Sequence, residues 1–84
     1  MGLLSVMARP SQTDPRERAI VLALKEERLR QGISATKLAH DVNVSRSTIT
    51  HLENDDARPT LWVLFRIADG LKVDLPTWME KHCR

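Results

Sequence analysis

Apolar residues recur at helical spacing along most of the chain. Ala35, Leu38, Ala39 and Val42 stand at i, i+3, i+4 and i+7, the stripe of a short helix buried on one side. Leu61, Leu64, Ala68 and Leu71, at i, i+3, i+7 and i+10, lie along one side of another helix, and Ile49 with Leu52 forms a shorter stripe between them. The polar positions punctuate these stripes. Asp14 followed by Pro15, with Glu17 three residues after Asp14, supplies an N-cap acceptor, a proline at the first helical position and an acid in the first turn. A first helix should run from there to about Gln31 and stop at Gly32. Ser34 caps a second helix ending at Val42, and Asn43, which tolerates left-handed backbone, turns the chain. Ser45 caps a third helix running to about Glu53. "NDDARP" is turn chemistry, and Pro59 with Thr60 prepares a fourth helix ending near Gly70 to Lys72. Asp74 with Pro76 starts a fifth, carrying Leu75, Trp78 and Met79. No strand alternation, internal repeat or low-complexity run appears. The expected class is all-α, five helices in one domain over residues 14–84, after a flexible arm over 1–13 where no period is sustained.

A chain of 84 residues holds one core and leaves little room for a deep catalytic cleft. With 42% apolar and 29% charged residues it reads as neither a disordered nor a membrane protein. The formal charge of +2 and pI near 9.1 permit a polyanionic partner without requiring one. The single Cys83 excludes an intrachain disulfide and a Cys-rich zinc site, and fits a reducing compartment. The N-terminal "MGLLSVMA" lacks a basic leader and is too short for a signal peptide or a membrane span. Ser5 also falls one position early for myristoylation. The expectation is a cytoplasmic protein starting at Met1 or Met7. His40, His51, His82 and Cys83 show no metal-ligand spacing, and the acids form no acid–base constellation. With no glycine-rich phosphate loop and no nucleophile elbow, we expect no metal, no cofactor and no enzymatic activity.

The third helix is unusual in composition. In "VSRSTITHLEN", residues 44–54, a wheel at about 100° per residue puts Ile49, Leu52 and Ser45 on one side. Arg46, Ser47, Thr50 and His51 spread over a separate arc of roughly 140°. A face meeting only water is more usually filled with Glu, Lys and Gln; Ser, Thr and His each cost a few tenths of a kcal/mol of helix propensity. Two readings stand. Either the composition is accidental, or the face is kept short and polar so that the backbone can approach another surface. Arg46, near the helix N-terminus, can offer two parallel donors to guanine O6 and N7. Ser47, Thr50 and His51 can bond base edges or phosphates, and the helix N-terminus itself attracts a phosphate.

From Leu24 to about Met79 the chain resembles the phage repressor and Cro type (XRE) of helix-turn-helix family. "LKEERLRQGIS" leads into "ATKLAHDVNVSRSTITHLEN" and then "RPTLWVLFRIADGLKVDL". The resemblance implies a lambda-repressor-like domain that binds double-stranded DNA as a homodimer and regulates transcription, most often as a repressor. It makes the third helix the recognition helix, with the second crossing above the phosphate backbone. Arg46, Ser47 and His51 then occupy base-reading positions, with Thr50 more peripheral. Ser45, Thr48 and Asn54 fall where members of the family touch phosphates or cap the helix. Arg28 and Glu53 match a structural ion pair tying helix one to the recognition helix. Three departures stand out. Ala35 replaces a glutamine that supports a phosphate contact, Asp55 and Asp56 replace a frequent glycine and basic residue, and Asn43 replaces the glycine of the turn. Asn43 suits the turn, whereas Ala35, Asp55 and Asp56 leave three alternatives open: weak binding, strongly salt-dependent binding, or reliance on Arg58 and the N-terminal arm.

Trp62 and Phe65 lie offset from the apolar line of helix four. Packing against helix five, with Trp78 and Met79, is one account of them. The other makes these four residues a dimer interface, which suits a palindromic site with recognition helices about 34 Å apart. Arg9, Arg16 and Arg18 either follow the DNA backbone or a minor groove, or form a solvated start to the chain. Two alternatives to a regulator remain. One is the antitoxin of a toxin–antitoxin pair, with a toxin or other protein partner on Trp62 and Phe65. The other is an adaptor that kept the fold and lost DNA binding, toward which Ala35, Asp55 and Asp56 point.

Overall fold

Side-chain caps begin the first four helices. In the computed structural model, which describes residues 14–82, these are α1 (Pro15–Arg30), α2 (Ala35–Val42), α3 (Arg46–Glu53) and α4 (Leu61–Leu71), followed by α5 (Leu75–His82). The expected arm, with Arg9, and Cys83 lie outside the described residues, among which no strand occurs. Asp14 accepts from the Arg16 amide at 2.7 Å while Glu17 accepts from the Asp14 amide at 3.3 Å, a reciprocal capping box. Ser34, Ser45 and Thr60 accept from the amides of Lys37, Thr48 and Val63 at 3.0–3.1 Å. Each such cap stabilises by about 1 kcal/mol.

The helix ends share a second device. Gly32, Asn43, Asp55 and Lys72, one after each of α1 to α4, take left-handed backbone with φ between 60° and 72°. In each case the following amide reaches back to a carbonyl in the last turn: Ile33 to Arg28, Val44 to Ala39, Asp56 to His51 and Val73 to Ala68. This satisfies carbonyls that would otherwise lack partners. Ile33, Val44 and Val73 then turn inward onto the core.

The largest fully buried side chains are Ile20, Leu38, Ile49, Leu71 and Leu75, one from each helix. α1 packs against α3, α4 and α5, and α2 against α3 and α4. α2 and α4 meet at Gly70, where an added Cβ would lie 2.5 Å from Val42 Cγ1 and 2.7 Å from Leu38 Cδ1. Gly70, expected only to mark the end of the fourth helix, is therefore a point of close helix approach inside it. At the far end of α1, Gln31 donates to the Leu71 carbonyl at 2.9 Å and to Glu27. Hydrogen bonds from Arg30 and Gln31 lower the Glu27 carboxyl to about 2, and those from Arg16 do the same for Asp14.

Candidate nucleic-acid interface

α3 is held from beneath and open above. Ile49 and Leu52 are 1% and 3% exposed, whereas Arg46, Ser47 and His51 stand in solvent. The side chains of these three form no hydrogen bond or ion pair among the described residues. Ser47, Thr48 and His51 line an open groove whose other wall is Arg58, Pro59 and Thr60. The remaining expected residues are more engaged. Thr50 is partly buried and its hydroxyl donates to the Arg46 carbonyl at 3.0 Å, so its proton is directed into its own helix. Ser45 Oγ lies 2.8 Å from Thr48 Oγ1. Asn54 is exposed as the C-cap. Arg58 meets Glu17 of α1 at 3.3 Å.

Beneath, α1 fastens the end of α3. Arg28 and Glu53 form a two-bond fork, Nε to Oε2 and Nη2 to Oε1 both at 2.8 Å, and Arg28 Nη1 donates to the Ile33 carbonyl at 2.7 Å. Arg18 adds a contact that the sequence reading did not find. Its Nη1 and Nη2 donate to the carbonyls of Leu52 and Glu53 at 3.0 and 2.9 Å. Arg18 is thus neither a backbone-following arm residue nor a solvated start; it binds the last turn of α3. On α2, Lys37 pairs with Asp41 at 3.1 Å and lowers its pKa, while Ala35 packs at the edge of the core.

The helix-turn-helix profile HTH_3 matches residues 24–78, a span holding α2, the Asn43 turn and α3. The chain belongs to this helix-turn-helix family. It is 32% identical over 63 residues to the HTH-type transcriptional regulator SutR of Escherichia coli K12, covering 75% of this chain and 35% of SutR. The chain therefore spans about a third of that relative's length. Among solved structures it is similar to the restriction-modification controller protein C.Esp1396I, in the structure of its tetramer with its natural 35 base-pair operator. There the TM-score is 0.73 at 25% identity, over 81% of this chain and 90% of that one. An HTH_3 family transcriptional regulator from Vibrio cholerae superposes with a TM-score of 0.68 at 25% identity, over 80% of this chain and 37% of that one.

Outside the helix-turn-helix unit, Leu61, Trp62 and Phe65 are 57%, 59% and 41% exposed on α4, with the Arg66 guanidinium 5.8 Å from the Trp62 ring. Trp78 and Met79 are only partly buried, but they turn toward α1. Trp78 lines a groove with Glu26, Glu27 and Arg30 and lies 5.2 Å from the His82 ring, while Met79 borders Ile20. Among the described residues no group of three or more His, Cys, Asp or Glu could share a metal ion, and no helix is long and apolar enough to cross a membrane.

Proposed function

We propose that the protein is a sequence-specific regulator of transcription that binds duplex DNA as a homodimer, with α3 in the major groove. The observation that carries this reading is the face of Arg46, Ser47 and His51, exposed and unengaged on a helix whose opposite side is fixed in the core. The first turns of α2 and α3 hold no acidic residue, which leaves their N-termini suited to phosphates. Ser45, Thr48 and Asn54 are the phosphate contacts in this reading, joined by Arg58 once it leaves Glu17. Thr50 acts through its remaining acceptor lone pairs. A relative that regulates transcription and a similar fold seen on an operator support the same assignment. The mode this reading assigns is repression by occluding a promoter. In this reading Leu61, Trp62 and Phe65 of α4 serve the second copy, while Trp78 and Met79, turned toward α1, support the fold behind it.

The test is fluorescence anisotropy with a mixed-sequence duplex over a salt series, followed by selection from a randomised pool. Log affinity should fall steeply with log salt, by roughly 0.9 per phosphate engaged. Arg46→Ala should cost about 1–3 kcal/mol of discrimination at one base position. Absence of binding at low salt would reject the reading. Co-purification of a different small protein bound at Trp62 and Phe65 would instead favour the antitoxin alternative.

A further inference from the structure

Arg18 and Arg28 stand ten positions apart on α1, about 15 Å of helix rise, yet both end on Glu53. Arg28 takes its carboxylate with a two-bond fork, and Arg18 takes its main-chain carbonyl together with that of Leu52. Ile49 and Leu52 seat α3 on the core, and the two arginines clamp its last turn in addition. Two attachments, one to the side chain and one to the main chain of the same residue, further restrict the tilt of the helix axis. Glu17, next to Arg18, also pairs with Arg58 in the segment after α3, a tie of the free protein that the DNA-bound reading releases.

We infer that Arg18 is a positioning residue for base recognition: it sets the angle at which α3 presents Arg46, Ser47 and His51. This rests on the DNA-binding reading above. α3 has eight residues and is about 12 Å long, so a tilt of about 5° at its clamped end moves the far end by about 1 Å. Base-edge hydrogen bonds do not survive such a shift, since bound geometry must hold to about 0.5 Å. Attraction to phosphates is far less sensitive to it. Arg18 therefore affects specificity more than general affinity for DNA.

The experiment compares the full chain with Arg18→Gln and Arg18→Lys. Two affinities are measured for each, one for a duplex selected from a randomised pool and one for a mixed-sequence duplex. Amide hydrogen exchange in the last turn of α3 is measured without DNA. Arg18→Gln is expected to lose about tenfold in the ratio of selected to mixed-sequence affinity. Mixed-sequence affinity should stay within about twofold, and protection of the Glu53 and Asn54 amides should fall. Arg18→Lys keeps the charge without the fork and should lose most of the same ratio. Full recovery by lysine, or an equal loss for both duplexes, would overturn the inference in favour of a simple charge effect. If the unaltered protein binds neither duplex while Arg18→Gln still loses protection, the DNA-binding reading fails and the positioning role with it, leaving a contact that only holds the fold. Binding with an unchanged ratio refutes the positioning role alone.

Discussion

Replacing Gly70 by alanine separates two opposing effects whose sizes the structure allows to be compared. Alanine in a helix interior is favoured over glycine by about 1 kcal/mol, so at an open position the substitution would stabilise. At Gly70 the new methyl would sit 2.5 Å from Val42 Cγ1 and 2.7 Å from Leu38 Cδ1. Comfortable carbon contacts are about 3.5–4.0 Å, so each overlap is about 1 Å. Val42 and Leu38 are 3% and 1% exposed, and a β-branched valine has few other rotamers, so the strain has no easy outlet. Overpacking of this kind costs about 1–3 kcal/mol, and this site belongs in the upper half of that range. The net expectation is a loss of about 1–2 kcal/mol, seen as a Tm lower by roughly 5–15 °C for a domain of this size.

Far-UV circular dichroism during heating and guanidinium titration measures it. Val42→Ala in the Gly70→Ala background removes one of the colliding methyl groups, so the double variant should be less destabilised than the sum of the two single changes by about 1 kcal/mol. A Gly70→Ala protein as stable as the parent, or strict additivity with Val42→Ala, would refute the close approach of α2 and α4 at this point. α2 is the first helix of the helix-turn-helix, so the spacing at Gly70 sets how closely that unit lies against α4.

Three further outcomes test other parts of the molecule. Glu53→Ala leaves Arg28, 8% exposed, without its carboxylate and should destabilise by about 3 kcal/mol in urea; a loss below about 1 kcal/mol would mark the pair as energetically idle. Asp14 and Glu27 titrate near 2 when folded instead of near 3.8 and 4.5, so the stability they add is complete above about pH 5 and disappears as pH falls toward 2. The urea midpoint should drop across that window, less so in Glu27→Gln, and an unchanged midpoint would argue against these contacts. Trp62→Asp should weaken self-association by about 2 kcal/mol or more in sedimentation equilibrium, and a dimer of unaltered strength would move the interface away from α4.

Much of this fold was legible because its punctuation is local. The caps at Asp14, Ser34, Ser45 and Thr60 act over two or three residues, and Gly32 and Asn43 are residue types suited to left-handed backbone. Lys72 was not legible as a turn residue: its φ of 61° accompanies a helix end at which Val73 turns into the core. The exposed face of α3 could be read from composition, because residues that favour neither helix nor core call for another explanation. The placement of Trp78 against α1 could not, since it depends on how α5 lies across α1. The same holds for Arg58, whose partner Glu17 is remote in sequence.

Arg18 is the most instructive omission, because a signal for it was present. A helix C-terminus carries partial negative charge and favours cations in its last turn. α3 ends the other way: Glu53 closes it and Asp55 and Asp56 follow, with only His51 as a base in its last turn. An acid-rich helix end of that kind needs a cation from elsewhere in the fold. Here α1 supplies two, Arg28 to the carboxylate and Arg18 to the carbonyls. Both are arginines, whose planar fork holds two donors in a fixed geometry, where a lysine offers only a compact ammonium on a flexible stem. The sequence cue therefore lay in α3, at the wrong-signed helix end, while the residue that answers it lies 34 positions earlier.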